Sequence, residues 1–183
     1  MNDFVDKIKN YQINITEDMM LERLADRTRW PIWYQWNQPT LQIIENGKIK
    51  NPDYYETDSY INSKKVIDYY NQGYTLVLAH VNYLFKDINS ISDILSEYFK
   101  KEININAYFG KGTKTVSFLK HKHTYPVLVK SVFGSSEWII DGKEVKLDNQ
   151  DVIHFNTGIN HEVTKIHSTK LSLTCNLEKN YVF

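Results

Sequence analysis

From Ile103 onward the chain alternates short β-prone runs with turn residues, and this succession constrains the fold more than any other feature. Eight such runs follow one another: INAYF, TVSFLKH, VLVKSVF, EWII, KEVKL, DVIHF, HEVTKI and LSLTCNL. The pair Asp141-Gly142 between the fourth and fifth runs is typical of a two-residue hairpin turn. Eight short antiparallel strands with polar turns predict a mainly β domain built as a jelly-roll barrel.

Helices are predicted ahead of these runs. Thr16 precedes two acidic residues and can cap a helix, because an N-cap oxygen and first-turn acids both favour a helix start. The clearest helix is predicted at 87–101, where Ser90 is the candidate cap and the apolar residues form one stripe. The pair Asn46-Gly47 predicts a hairpin within the amino-terminal region.

The sequence predicts a single domain, residues 1–183. This length is enough for one hydrophobic core, and an apolar content of 42% excludes a disordered chain. We expect residues 1–72 to form a helical, aromatic-rich region that packs on the outside of a barrel core, residues 73–177. No repeat, low-complexity tract or linker indicates a second domain.

Charge and cysteine content restrict the partners. Twenty-two basic residues balance 22 acidic ones and no long basic run occurs, so nucleic acid is not an expected partner. No segment has the apolar length of a membrane span or the pattern of a signal peptide, and no membrane partner is expected. Cys175 is the only cysteine, which excludes an internal disulfide. A cytoplasmic location is the simplest expectation.

One segment, RWPIWYQWNQP, concentrates aromatic residues between two prolines. Trp30, Trp33, Tyr34 and Trp36 fall within seven positions. We favour a hydrophobic strap that closes one end of the barrel. The alternative is an aromatic wall of a substrate pocket, for which Trp33 and Tyr125 are the candidates. Exposed aromatics in this third of the chain could also form the interface of a homodimer.

Three histidines have the spacing of a metal site. Side chains at i and i+2 of a strand lie on the same face, so His121 and His123 can bind one ion from the same side. His161 follows after several strand-like runs and can close the site from a partner strand. Neutral imidazoles suit Fe, Zn, Cu or Ni better than Mg or Ca. The remaining three histidines are expected to be ordinary polar residues.

These histidines and their neighbours resemble the cupin superfamily in spacing. The pattern G-x5-H-x-H-x3-E-x6-G followed by G-x5-P-x-G-x2-H describes that superfamily. Several of its residues are replaced while the spacings are kept: the pattern falls here on His121, His123, Val127 and Gly134, and then on Gln150, Asn156, Gly158 and His161.

The wider segment 73–176 resembles the JmjC-like branch of cupins, most specifically from His121 to Trp138. GYTLVLAHV, a helix and INAYF precede that block in the order typical of the branch. The resemblance implies a double-stranded β-helix that binds Fe(II) and 2-oxoglutarate, with Tyr108 in contact with the 2-oxoglutarate. Two positions depart from the branch: its metal-binding Asp is His123 here, and the Lys or Arg that anchors 2-oxoglutarate is Ser136.

The last predicted strand has a polar face that includes Lys170 and Ser172. We expect this strand to lie beside the strand that carries His161. A lysine that reaches into a barrel needs an anion to offset its desolvation, and a dicarboxylate would supply one. The spacing from His161 to Lys170 and Ser172 is also similar to the His…Arg-x-Ser arrangement that holds 2-oxoglutarate in another branch of these oxygenases.

Together these features predict an Fe(II)-dependent, 2-oxoglutarate-dependent oxygenase of hydroxylase type that acts on a small molecule or a peptide side chain. The first alternative is a three-histidine cupin dioxygenase that uses no 2-oxoglutarate, which the loss of the Asp and of the cation at Ser136 favours. The second is a non-catalytic cupin that binds a ligand. The retained Tyr108 favours the 2-oxoglutarate-dependent enzyme.

Overall fold

The computed structural model describes residues 3–26, 33–34, 38–58 and 60–177, with the backbone alone at 33–34 and 38–39. Its α-helices are α1 Asp3–Asn10, α2 Glu17–Ala25, α3 Ser63–Asn71 and α4 Lys86–Phe99. Its strands are β1 Trp33–Tyr34, β2 Gln38–Pro39, β3 Leu41–Glu45, β4 Lys48–Ile49, β5 Glu56–Thr57, β6 Tyr60–Ile61, β7 Thr75–Leu78, β8 Ile105–Gly110, β9 Val127–Phe133, β10 Ser136–Ile140, β11 Lys143–Leu147, β12 Val152–Phe155, β13 His161–Ile166 and β14 Lys170–Asn176.

Two antiparallel sheets form the barrel. The major sheet has seven strands in the order β12-β9-β14-β8-β7-β3-β4, and the minor sheet has three in the order β11-β10-β13. An apolar cluster of Val127, Val129, Trp138, Leu147 and Phe155 combines residues of both sheets. The mainly β prediction and the double-stranded β-helix are confirmed. Because β3 and β4 extend the major sheet, residues 1–72 contribute strands to the barrel as well as helices.

The helices cover the outer face of the major sheet, as predicted. Alternate residues of β14, Leu171, Leu173 and Cys175, are buried in one apolar cluster with residues of all four helices. The intervening residues of β14 therefore face the barrel interior. The Thr16 side chain accepts from the backbone N–H of Met19 and caps α2, as the sequence indicated. Among the described helices, none has the length and apolar character that crossing a bilayer requires.

Both predicted hairpin turns form. Asn46 and Gly47 have φ of 51° and 74°, and Asp141 and Gly142 have φ of 50° and 78°. Positive φ at both central positions is the signature of a type I′ turn, whose twist matches that of paired strands. Asn, Asp and Gly tolerate this conformation better than other residues.

Three sequence predictions were wrong. TVSFLKH is not a strand: only His121 pairs, in an isolated bridge with His161. The strand β14 pairs with β8 and β9, whereas β13 pairs with β10 in the other sheet. The helix α4 begins at Lys86, and the Ser90 hydroxyl donates to the Lys86 carbonyl instead of capping the helix.

Hydrogen bonds to the major sheet explain why the segment TVSFLKH does not form a strand. The backbone N–H of Thr75 donates to Thr115 Oγ1 at 3.0 Å, and Thr115 Oγ1 donates to the carbonyl of Ile44 at 2.8 Å. Both bonds are buried and join the segment to β7 and β3 of the major sheet. They bind Thr115 to the major sheet, and within the segment His121 alone pairs with β13.

The turn between β9 and β10 gives a first testable prediction. Gly134 has φ of 82°, and a Cβ there would lie 2.3 Å from the Thr169 carbonyl oxygen and 2.7 Å from Lys170 Cα. Gly142 has φ of 78° and nothing within 4 Å of such a Cβ. We expect Gly142→Ala to lower the free energy of unfolding by about 1–2 kcal/mol. Gly134→Ala should cost roughly 1–3 kcal/mol more, because backbone must also move.

Urea denaturation of the two variants and the parent protein measures this difference. Since the two glycines share the same backbone conformation, Gly142→Ala is the control for conformational strain alone. Equal destabilisation by the two substitutions would contradict the close approach of Gly134 to the start of β14.

Candidate metal centre

Three histidines from two separate segments meet at the minor sheet. The candidate ligand atoms of His121, His123 and His161 all lie within 4.8 Å of one another. His121 and His161 exchange two backbone hydrogen bonds, of 3.1 and 2.9 Å. The backbone N–H of Gly158 donates to the His123 carbonyl at 2.9 Å. These backbone bonds fix the His-x-His segment against the start of β13, so the triad forms without help from an ion.

Backbone carbonyls orient two of the three rings. His121 Nδ1 lies 2.8 Å from the Leu119 carbonyl oxygen, and His161 Nδ1 lies 3.1 Å from that of Ile159. Because a carbonyl oxygen only accepts, each Nδ1 must carry the proton. Each Nε2 is therefore the ring nitrogen that can bind an ion. A hydrogen bond from the other ring nitrogen to a carbonyl oxygen, as Nδ1 makes here, is typical of metal-binding histidines.

Burial favours the neutral form of His123 and His161. Burial, together with the neighbouring His121 and His161, lowers the pKa of His123 to about 4. Burial also lowers the pKa of His161, against the opposing effect of the Ile159 carbonyl. Neutral imidazole is the form that binds a metal ion. The donor set therefore fits a transition metal such as iron or zinc.

Aromatic side chains pack around the triad. His161 is 4% exposed, and its ring centroid lies 4.5 Å from that of Phe155. Tyr125 stacks on His123 at 5.0 Å, with an angle of 22° between the rings. This contact orients His123, and Tyr125 is not among the residues that line the pocket. The side chain of Trp33, the other predicted pocket aromatic, lies outside the described part of the structure, as do Trp30 and Trp36.

A pocket leads from the histidines into the barrel. It measures about 410 Å³ when the space open to solvent is included. The structure places all six predicted metal and co-substrate residues in its lining: Tyr108, His121, His123, His161, Lys170 and Ser172. The other lining residues are Ser117, Phe118, Val127, Val129, Trp138, Phe155, Glu162, Val163 and Thr174.

Lys170 is buried at this pocket, and among the described residues it has no anionic partner. Its side chain is 4% exposed, and Nζ lies 3.3 Å from Ser136 Oγ and 5.1 Å from the centre of a Trp138 ring. No carboxylate of the described residues lies within salt-bridge distance of it. Burial lowers the pKa of Lys170 to about 7. The pocket thus contains an amine whose charged form would be stabilised by a bound anion.

One hydroxyl group contacts this amine, and others share its pocket. Ser136 Oγ accepts hydrogen bonds from Trp138 Nε1, at 3.0 Å, and from Lys170. Ser172 lies opposite Tyr108 in the β8–β14 register, so the two side chains share the interior face. Burial and the nearby Tyr125 raise the pKa of Tyr108 to about 12, so this phenol stays a hydrogen-bond donor at neutral pH.

In the sequence, Ser136 is identifiable only as the position of a missing cation. Its contact with Lys170 is not predictable from a local pattern, because the two residues belong to different sheets. Three further lining residues, Phe118, Phe155 and Thr174, were not predicted either. Of these, Thr174 could have been predicted from the sequence, because it follows Lys170 and Ser172 at the two-residue period of one strand face.

Comparisons with known proteins agree with the fold. No protein-family model matches the chain, and no curated protein matches it in sequence. Among solved structures, YcfD, a ribosomal oxygenase from Escherichia coli, in complex with cobalt and succinic acid matches with a TM-score of 0.62 and 13% identity. The complex of YcfD with cobalt and 2-oxoglutarate matches with a TM-score of 0.58 and 14% identity.

In both cases the match covers 94% of this chain and 46% of the YcfD chain, so the chain spans about half the length of that protein. At identities this low, the TM-scores establish a shared fold and no more. Together with the two antiparallel sheets and the helices on the outer face of the larger one, they show that the chain has a double-stranded β-helix fold similar to that of YcfD.

Proposed function

We propose that the protein is an Fe(II)- and 2-oxoglutarate-dependent oxygenase that hydroxylates a small molecule or a peptide side chain. One observation carries this proposal: the buried amine of Lys170, which has no carboxylate partner among the described residues, lines the same pocket as His121, His123 and His161. A dicarboxylate that also bound the metal would satisfy both features. The structures of YcfD with cobalt and with 2-oxoglutarate or succinic acid supply a precedent in the same fold.

His121, His123 and His161 would hold the metal ion. Three protein donors leave three positions of an octahedral shell, enough for a bidentate ligand and one further small molecule. When bound, iron(II) would supply the activation of dioxygen. The role of the three histidines is to hold the ion in a fixed position in the pocket.

Lys170 and Ser136 would hold the distal carboxylate of 2-oxoglutarate. Ser136 Oγ already accepts two hydrogen bonds, so its own hydroxyl hydrogen is left to donate to a carboxylate. Lys170 adds a charge-assisted hydrogen bond, and Ser172 and Tyr108 offer hydroxyl donors on the same interior face. Trp138 and Phe155 provide apolar walls that exclude water and strengthen these contacts.

A second candidate function rests on the identity of the third ligand. His123 replaces a carboxylate by a neutral ring, which raises the charge of the loaded site by one unit. Three imidazoles also suit a cupin dioxygenase that uses no 2-oxo acid. For that enzyme, however, the buried Lys170 would have no assigned role. A non-catalytic cupin that binds a ligand is the third candidate.

An anaerobic titration separates these functions. Iron(II)-loaded protein should develop the weak visible charge-transfer band of a bidentate 2-oxo acid on iron when 2-oxoglutarate is added. Lys170→Ala should weaken binding at least about tenfold, because a charge-assisted hydrogen bond contributes about 1.5–3 kcal/mol. Lys165→Ala, which removes an exposed lysine of β13, is the matched control and should bind as the parent does.

Absence of the band in iron-loaded parent protein would refute the proposal and favour the three-histidine dioxygenase. A parent protein that takes up neither iron nor 2-oxoglutarate would favour the ligand-binding cupin.

A further inference from the structure

The side chain of Lys170 reaches the candidate pocket from a well-fixed backbone position. Lys170 begins β14 and pairs with Gly110 of β8. A Cβ at Gly134 would lie 2.7 Å from Lys170 Cα, so the turn between β9 and β10 packs directly on this backbone. The residue is buried, and it lines the pocket together with the three histidines. Its amine is therefore reached from the pocket.

The amine has one hydrogen bond within the described part of the chain. Nζ donates to Ser136 Oγ, and the Trp138 ring lies 5.1 Å away. The other titratable side chains that line the pocket are Tyr108, Glu162 and the three histidines. Neither Glu162 nor any other described carboxylate forms an ion pair with Lys170. An ammonium group has three N–H donors, so most of its hydrogen-bonding capacity is unused here.

A second buried lysine, Lys130, has a different environment. Its Nζ donates to the carbonyl oxygens of Ile8, at 3.1 Å, and Gln150, at 3.4 Å, and thereby joins α1 to the turn before β12. Lys130 is not among the residues that line the pocket. Burial lowers the pKa of both amines, to about 8 for Lys130 and about 7 for Lys170. Lys130 therefore has a structural contact for its amine, whereas Lys170 borders a cavity.

Burial makes the uncharged form of the Lys170 amine abundant near neutral pH. Moving an ammonium ion out of water is costly, and the described residues supply no carboxylate to offset that cost. About half of this amine is uncharged at pH 7, against roughly one part in 2,500 for an exposed lysine with a pKa of about 10.4. An uncharged lysine in a desolvated pocket is a nucleophile.

The walls of the pocket suit a small alkyl group. Val127, Val129, Phe155 and Val163 contribute apolar side chains to the lining. When the amine is uncharged, a neutral ligand can enter without the burial of an unpaired ion. The pocket then combines a nucleophilic nitrogen with apolar walls, which favours a small, uncharged electrophile.

We propose that Lys170 is a site of covalent modification, at which its amine condenses with a short aliphatic aldehyde to form an imine. Nζ adds to the carbonyl carbon to give a carbinolamine, which then loses water. The carbonyl oxygen and the two hydrogens of the neutral amine leave as that water, and a C=N bond remains. The step needs no oxidant, reductant or metal ion.

Ser136 is positioned to assist the loss of water. Its Oγ accepts hydrogen bonds from Trp138 Nε1 and from Lys170, so its own hydrogen can donate to the carbinolamine oxygen.

This modification does not rest on the proposed oxygenase function. A carboxylate requires the charged amine of Lys170, whereas the aldehyde requires the uncharged amine and no metal. An imine at Lys170 would also remove the charge that holds 2-oxoglutarate, so aldehyde and co-substrate would exclude each other.

Reductive trapping tests the modification on the unchanged protein. Metal-free protein at pH 7 is treated with acetaldehyde and sodium cyanoborohydride, which reduces the imine to a stable ethylamine. Peptide mass spectrometry then quantifies the ethyl group at each lysine over time. We expect Lys170 to be ethylated at least about 100-fold faster than the exposed Lys165. A rate at Lys170 no higher than that at Lys165 would overturn the inference.

Two internal controls separate the pocket from burial alone. Lys130 is equally buried but does not line the pocket, so it should stay unmodified in the folded protein. In urea, Lys170 and Lys165 should react at similar rates, because unfolding returns both amines to water. Equal modification of Lys130 and Lys170 in the folded protein, or selectivity for Lys170 that persists in urea, would contradict the role of the pocket.

The pH dependence of the rate ratio between Lys170 and Lys165 gives an independent readout, in which the pH dependence of the reagent cancels. Below pH 7 both amines are mostly charged, so both rates rise together and the ratio is constant. Above pH 7 Lys170 is already uncharged while Lys165 continues to gain free amine, so the ratio should fall by about tenfold per pH unit. A ratio that does not change between pH 6 and pH 9 would overturn the inference.

Discussion

Replacing His121, His123 or His161 by alanine is expected to strip the purified protein of iron while leaving it folded. Two imidazoles hold the ion less tightly than three, and the loss of a direct ligand should weaken binding by more than about 100-fold, since loss of an outer hydrogen bond alone costs up to that amount. The fold should persist because backbone hydrogen bonds between His121 and His161 position the triad without metal.

Elemental analysis and circular dichroism of the purified variants measure iron content and folding. His167→Ala is the matched control, because His167 is an exposed residue that pairs with Glu137 at 2.7 Å. His123→Asp adds a rescue: a carboxylate at this position is again a ligand and should restore iron binding where alanine does not. Full iron retention by both His121→Ala and His161→Ala would refute the site and every metal-dependent function proposed for it.

The sequence was informative wherever a feature depends on local geometry. His121 and His123 could be assigned to one face because side-chain direction along an extended segment has a period of two. The turns at Asn46-Gly47 and Asp141-Gly142 could be predicted because few residue pairs adopt positive φ at both positions.

Features that depend on long-range pairing could not be predicted in the same way. TVSFLKH has a strand-like composition, yet the hydrogen bonds of Thr115 to Thr75 and Ile44 take it to the other sheet. Strand order decides which residues meet, and the sequence does not encode strand order in a local pattern. For this reason β14 was assigned to the wrong neighbour, although its polar face was correctly identified.

Gln150 shows how a departure from the cupin pattern is accommodated. It occupies a glycine position of that pattern and keeps a positive φ of 65°. Its side-chain amide donates to the carbonyls of Val132, at 2.8 Å, and Ile13, at 3.3 Å. These bonds offset the strain of the left-handed backbone. The turn geometry is retained, although the residue that usually permits it is absent.

The contact between Lys170 and Ser136 accommodates a second departure from the family pattern, the missing cation at position 136. The two residues approach each other from different sheets. A cation placed on either strand would therefore reach the same part of the pocket. The serine at position 136, which argued against a 2-oxoglutarate site together with the loss of the Asp at position 123, is thus compatible with such a site, because Lys170 brings the positive charge from β14.

The pH dependence of 2-oxoglutarate binding provides the most demanding test of Lys170. Burial lowers its pKa from 10.5 to about 7 in the free protein, and a bound carboxylate must raise it again. Below pH 7 the amine is already charged and binding has its full strength. Above pH 7 binding must take up a proton, so the dissociation constant should rise by up to about tenfold per pH unit.

Between pH 7 and pH 9 the parent protein should therefore lose up to about 100-fold in affinity for 2-oxoglutarate at saturating iron. Lys170→Arg separates this effect from other titrations, because a guanidinium stays charged throughout the range. Its affinity should be independent of pH over the same interval, even where the larger side chain lowers the absolute value. An anaerobic titration at half-unit steps of pH measures both curves. A flat profile in the parent, or the same slope in the arginine variant, would show that Lys170 is not the group that binds the carboxylate.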